Sequence, residues 1–274
     1  MQTPVKITTV NELIAQAQSR REAEVMAGNT YKDLSTIIVI PTPWKTENKT
    51  FLNCKKCKTK NDYTQTNLTG LNPAFISSMK NLIKPMNVPC LEIFVPGREV
   101  GDAYNQAVEM VLSNPALNKF KYLLTVEHDN LIPFIPNTLG PLMMMYEHMD
   151  KFDVVGGLYR LKGEPPVPLI YGDPKQKREN PAGMFKVRYD WKVGDLVECN
   201  GMGMGFTLFK MDIFKDKRWK KPYFASVNEH RETGPALYTQ DLNFFEQMRG
   251  LGYRCAVDTR VVLAHMDLAT GAIY

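Results

Sequence analysis

The chain has 274 residues, 44% of them hydrophobic and 23% charged, which suits one large globular domain with appendages rather than a disordered or fibrous protein. A net charge of +5 is a mild basic bias, suited to anionic ligands but not diagnostic of nucleic acid. No apolar run is long enough to span a bilayer, and Met1 to Lys6 shows no charged segment leading into an apolar one, so a soluble, cytoplasmic protein without a secretory signal is expected.

Thr9-Val10-Asn11-Glu12 has the form of a capping box, and Val10, Leu13, Ile14 and Ala17 follow at helical spacing. A helix over about 9–27 is predicted, as an N-terminal extension (1–35) ahead of a main domain (36–274). Thr36 to Ile40 reads as a buried strand running into Pro41-Thr42-Pro43-Trp44. The polar, basic stretch 45–72 reads as an insertion or long loop, and such loops are uncommon unless functional or disordered. Within it Cys54-Lys55-Lys56-Cys57 has zinc-knuckle spacing but no second pair nearby. The five cysteines, an odd number without a secretory signal, argue against a disulfide framework.

A helix over Ile76–Ile83 and a strand over Cys90–Val95 come next, then a turn at Pro96-Gly97-Arg98. Tyr104, Ala107, Val108, Val111 and Leu112 mark a helix that Asp102 can cap. Tyr122 to Val126 is a strand ending in Glu127-His128-Asp129. A helix opening at Pro136-Asn137 carries the Met-rich stretch Leu142–Tyr146, whose methionines read as core filler. Asp153–Tyr159 is a further strand, and the Pro-, Gly- and Lys-rich stretch 162–190 a mobile excursion. Gly201 to Phe209 is a glycine-rich turn feeding a strand. In the segment 215–224 basic residues surround Trp219 and precede Tyr223 and Phe224, a pattern that can track phosphates and stack on bases. Asp241–Gly250 is a helix, Tyr253–Val257 and Val261–Ala264 are late strands, and His265 stands just beyond. Strands alternating with helices predict an α/β fold, a single Rossmann-like domain with a mostly parallel sheet flanked by helices.

Two carboxylates with one residue between them, delivered by a buried strand, are the chemical centre of this pattern. In open α/β sheets ligands gather at the carboxyl ends of strands, and paired carboxylates there can hold a hard divalent cation and through it a phosphate. Four features fall in order: the Pro41-Thr42-Pro43 turn, the Glu127-His128-Asp129 strand end, the helix start Thr239-Gln240-Asp241 and the terminal His265. With Gly201-Met-Gly-Met-Gly205 and Gly101-Asp-Ala-Tyr-Asn105, they resemble the GT-A glycosyltransferases, more narrowly the family-2-like members, over about Thr36 to His265.

The resemblance implies a nucleotide-sugar donor, most simply a UDP-sugar, and a divalent ion (Mn²⁺ or Mg²⁺) held by Glu127, Asp129 and His265. It implies Asp241 as general base for an acceptor hydroxyl, with inversion. Pro41, Thr42, Pro43, Arg98, Asn105, Glu127, His128 and Gly203 would border the nucleotide-sugar. The chain departs from the family at Glu127 (usually Asp), Gln240 (usually Glu) and Tyr104 (usually Arg). The acceptor is open; nucleic acid, such as modified DNA, a glycan, a lipid phosphate or a protein all fit. Two other functions compete. One is a sugar-phosphate nucleotidyltransferase, although the glycine-rich, lysine-bearing signature of such enzymes is absent near the first strand. The other is a non-catalytic nucleotide-sugar-binding module.

Overall fold

The computed structural model describes residues 33–42, 71–86, 88–136, 140–175, 184–231 and 234–274. The expected N-terminal helix, the 45–72 insertion with Cys54 and Cys57, and Pro43 all lie outside the described residues. Leu34–Tyr274 forms one compact unit. In chain order its elements are β1 (Thr36–Thr42), α1 (Pro73–Ser78), β2 (Cys90–Pro96), α2 (Val100–Ser113), β3 (Tyr122–Val126), β4 (Asn130–Leu131) and α3 (Pro141–Tyr146). Next come β5 (Val154–Leu158), β6 (Arg160–Leu161), β7 (Val167–Pro168), β8 (Ile170–Tyr171), β9 (Leu196–Cys199), β10 (Gly201–Met202), β11 (Phe206–Lys210) and α4 (Asp212–Lys215). The chain closes with β12 (Val227–Arg231), β13 (Gly234–Tyr238), α5 (Gln240–Gly250), β14 (Cys255–Val262) and β15 (Ala264–His265).

Seven strands form the central sheet in the order β2-β1-β3-β11-β5-β14-β9. β2, β1, β3, β5 and β14 run in one direction and β11 and β9 against them. The sheet is therefore mostly parallel and Rossmann-like, with one antiparallel strand threaded through its middle. Its inner strands lack alternating polarity because both faces are covered: all seven residues of β1 are buried. Successive residues point to opposite faces. Ile37, Val39, Leu123, Phe209 and Val257 pack with α2, α4 and α5. Ile38, Ile40, Leu124, Leu208 and Ala256 pack with α1 and α3, where Leu142, Met144 and Met145 fill the core as expected.

Several expected boundaries move. The helix expected over Ile76–Ile83 begins at Pro73, where the Asn72 side chain accepts from Ala74 N, and tightens to a 3₁₀ turn at Met79–Asn81. α2 is capped by Glu99, not Asp102: its Oε2 accepts from Gly101 N at 2.8 Å. Among the described residues α3 starts at Pro141, after Gly140 with φ 89°, rather than at Pro136. The two late strands are one, β14, irregular between Asp258 and Val262. The excursion after Lys162 is tied down in its described part: β7 pairs with β6, β8 with β10, and Tyr171 bridges Val187.

The aromatic segment reads differently in three dimensions. Trp219, Tyr223 and Phe224 are buried, and Trp219 and Phe224 both stack on Phe244 of α5 at centroid distances of 4.9 and 4.8 Å. These rings are core, so they offer no stacking platform to a nucleic-acid acceptor. Among the described residues no helix is long and apolar enough to cross a membrane.

Candidate active site

Glu127 follows the last residue of β3, and its N–H donates to Gly205 O at 2.9 Å, tying the strand end to the glycine turn before β11. Asn130 N donates to Glu127 O at 3.0 Å, closing a tight turn that carries His128 and Asp129. The chain then enters β4, which pairs with β15 so that His265 faces Asn130. Met266 N donates to Asp129 O at 2.8 Å. These backbone bonds bring two residues 136 positions apart together: His265 Nε2 lies 3.3 Å from Asp129 Oδ2.

Two of the three predicted metal ligands thus meet, and the third does not join them. Glu127 turns to Tyr104, whose hydroxyl donates to Glu127 Oε1 at 3.2 Å. Among the described residues no group of three His, Cys, Asp or Glu side chains is arranged to hold a metal. The Asp129 oxygen that faces His265 instead receives the Lys162 ammonium at 2.6 Å. The donor chemistry of the pair nonetheless fits a divalent cation. His265 Nδ1 lies 2.6 Å from Arg160 O, and a carbonyl only accepts, so Nδ1 carries the proton. With Nδ1 committed, Nε2 is the ring nitrogen left to face the carboxylate, and a proton or a cation between Nε2 and Asp129 Oδ2 makes that contact favourable. Metal-ligating histidines commonly have their other N–H fixed by such a carbonyl.

The local field separates the carboxylates. Burial pushes Glu127 up to about 7, helped by the neighbouring charges of Asp129 and Asp241. Burial also works against ionised Asp129, but the hydrogen bonds from His265 and Lys162 outweigh it and hold the group at about 2. Burial raises Asp241 as well, against hydrogen bonds from Thr239 and the Leu242 backbone. Asp241 stands in the first turn of α5, where its Oδ1 accepts from Leu242 N at 2.9 Å and from the Thr239 hydroxyl. One oxygen is therefore engaged in the helix start. Groups of one type pushed apart in this way are a mark of functional sites.

Other sequence-predicted residues fall as follows. Thr42 and His128 adjoin at the carboxyl edge of β1 and β3, since the parallel register sets Val39 beside Thr125. Burial lowers the His128 pKa while a hydrogen bond to the Pro41 backbone opposes the shift. Thr42 Oγ1, His128 Nε2 and Asn130 Oδ1 are buried without a hydrogen-bond partner, an arrangement native proteins rarely leave unanswered. Asn105 is committed elsewhere: it donates to Phe224 O at 2.6 Å and accepts from Phe224 N at 3.1 Å, clamping α2 to the aromatic cluster. Arg98 is exposed and lines an open cleft with Asp102, Gln106 and Glu109. Gly203 gives close approach to Tyr159 of the protein itself. A Cβ there would sit 2.1 Å from the Tyr159 hydroxyl, which accepts from Gly205 N at 2.8 Å.

Sequence reasoning missed Lys162 and Tyr159. Tyr159 packs edge-on against His265 at 5.4 Å and braces the glycine turn. Nothing in the local sequence marks either residue, because both act through partners more than 30 residues away.

No protein-family model and no curated protein matches the chain. Among solved structures it is similar to A197 from STIV, with 17% identity over 85% of this chain and 86% of that one and a TM-score of 0.48. It is also similar to a UDP-glucose pyrophosphorylase complexed with UDP-glucose (10% identity, 82% and 90% covered, TM-score 0.41). A third is the inositol-1-phosphate CTP transferase from T. maritima (8% identity, 83% and 86% covered, TM-score 0.37).

Proposed function

We propose that the protein is a transferase acting on a nucleotide-linked sugar, with Asp129 and His265 as the ligands of a divalent cation. The observation that carries this reading is the Asp129–His265 pair at the carboxyl edge of the sheet, a carboxylate oxygen and an imidazole nitrogen 3.3 Å apart with the other ring nitrogen fixed by Arg160 O. Mn²⁺ or Mg²⁺ bound there would neutralise charge on a diphosphate as it departs or is attacked. The chain's own residues do the rest. Asp129 stays ionised across the physiological range, and Arg160 O fixes the His265 ring in its ligating tautomer. Thr42 Oγ1 and His128 Nε2 offer unpaired polar atoms to the nucleoside at the neighbouring strand ends.

Two reactions suit this arrangement. Transfer of a nucleotidyl group to a sugar phosphate asks least of the site: a phosphate nucleophile carries its own charge and needs no general base, and the Lys162 ammonium suits a phosphate-bearing substrate. Glycosyl transfer also needs Asp241 as base, through the oxygen not engaged by Thr239 and Leu242, and its raised pKa favours proton uptake. Incubation with a labelled nucleotide-sugar panel, with nucleoside triphosphates and sugar 1-phosphates, and with Mn²⁺ separates them. Pyrophosphate marks the first reaction and nucleoside diphosphate the second. Asp129→Asn is expected to abolish either, and Asp241→Asn only glycosyl transfer. Full activity in Asp129→Asn would overturn the assignment of the site.

A further inference from the structure

Lys162 makes a close contact with the proposed metal ligand itself, which its affinity for a phosphate-bearing substrate does not explain. Its ammonium lies 2.6 Å from Asp129 Oδ2, the same oxygen that faces His265 Nε2 at 3.3 Å. A divalent ion shared by Asp129 and His265 would draw on that oxygen and stand close enough to the ammonium for the two positive charges to repel each other. The lysine is also well placed to leave. It follows β6 directly, its side chain is about one-third exposed at 32%, and Gly163 behind it has φ 146° with open space around it. A flexible four-carbon stem with a point charge is suited to exchange partners where a planar guanidinium is not.

We propose that Lys162 is the resident counter-cation of this site, occupying the ion's place on Asp129 and passing to the substrate diphosphate when the ion arrives. The proposal rests on the metal reading of Asp129 and His265 and deepens it. In the ion-free protein the ammonium keeps the buried Asp129 carboxylate paired. Metal entry displaces it, and the freed ammonium meets the phosphate oxygens that the ion brings in. Metal and diphosphate binding are thereby coupled: the ion binds weakly alone because it must evict Lys162, and better when a diphosphate receives the displaced charge.

The test is calorimetric titration of the protein with Mn²⁺ alone, and of the Mn²⁺-saturated protein with inorganic pyrophosphate, in wild type, Lys162→Met, Lys162→Arg and Asp129→Asn. Lys162→Met is expected to bind Mn²⁺ up to about fivefold more tightly, since a competing ion pair is gone. It should bind pyrophosphate about tenfold or more weakly, since a charge-assisted bond is lost. Lys162→Arg should keep pyrophosphate affinity closer to wild type. Unchanged or weaker Mn²⁺ binding in Lys162→Met, or unchanged pyrophosphate binding, would overturn the proposal while leaving the metal site standing. Unchanged Mn²⁺ binding in Asp129→Asn would remove the metal site itself, and the proposal with it. Near-UV circular dichroism establishes that each variant is folded.

Discussion

At the scale of single residues, Glu127 and Asp129 show how one motif yields two groups. The acid-x-acid spacing was legible in the sequence; the split in their chemistry was not, because it depends on Tyr104, Lys162 and His265 arriving from other parts of the chain. Glu127 has a pH signature. Its folded pKa is about 7 against an ordinary 4.5, so the fold favours the protonated acid and the unfolded chain ionises first as pH rises. Stability contributed by the protonated form is fully present below pH 4.5 and is lost progressively up to about pH 7. The full shift corresponds to about 3 kcal/mol. Glu127→Gln keeps the shape and removes the titration. Urea unfolding in chelator at low pH and near pH 8 should show the variant gaining about 3 kcal/mol on wild type between the two conditions. Parallel behaviour of the two proteins would mean that Glu127 ionises freely.

Among elements, those whose signal is local were readable. β1 and β3 are continuous apolar, β-branched runs, and burial on both faces is what such runs encode. The sequence pattern divides this stretch into strands Tyr253–Val257 and Val261–Ala264, leaving Asp258-Thr259-Arg260 between them, whereas the structure has one strand, β14. The strand continues through these three residues because Asp258 is buried against Arg260 and His148, and Thr259 Oγ1 donates to the backbone at Lys192 and Asp195. Beside the local Arg260, the partners His148, Lys192 and Asp195 lie more than 60 residues away, and no local pattern reveals them. The aromatic segment failed for a similar reason: Trp219 and Phe224 find Phe244, supplied by a later helix. The start of α2 is a case where chemistry chooses between two nearby acids. Glu99 precedes the helix and reaches back to Gly101 N at 2.8 Å and Asp102 N at 3.4 Å, whereas Asp102 already lies within the first turn. Glu99→Ala is therefore expected to cost about 1 kcal/mol in urea unfolding, and Asp102→Ala only a few tenths, from its charge near the helix N-terminus. The reverse order would show that Asp102 is the effective cap.

On the scale of the whole molecule, the candidate site is assembled from the ends of β3 and β6, the glycine turn before β11, the start of α5 and β15. The sequence preserved their order but not their distances, and for that reason the Asp129–His265 pair was foreseeable while the Lys162 contact was not. The final residues complete this assembly. His265 N donates to Tyr274 O at 3.1 Å and Tyr274 N to His265 O at 2.9 Å, Met266 bridges Ile273, and Asp267 N donates to Ala272 O at 2.7 Å. The tail thus folds back as a hairpin, turning at Gly271 with φ 74°, and clamps the backbone that carries the imidazole. The clamp lies outside the seven-stranded sheet, so removing residues 272–274 should leave the core intact while loosening His265. Mn²⁺ at about 100 times its dissociation constant adds roughly 2.7 kcal/mol to the stability of the protein that binds it. For a domain of this size that corresponds to a rise in Tm of roughly 5–10 °C. The tail-deleted protein should unfold close to the wild-type Tm in chelator, yet gain less than half of that rise at the same Mn²⁺ concentration. An undiminished rise would mean that β4 and Arg160 alone hold His265 in place, whereas a large loss of Tm in chelator would make the tail part of the fold's foundation rather than a brace for the site.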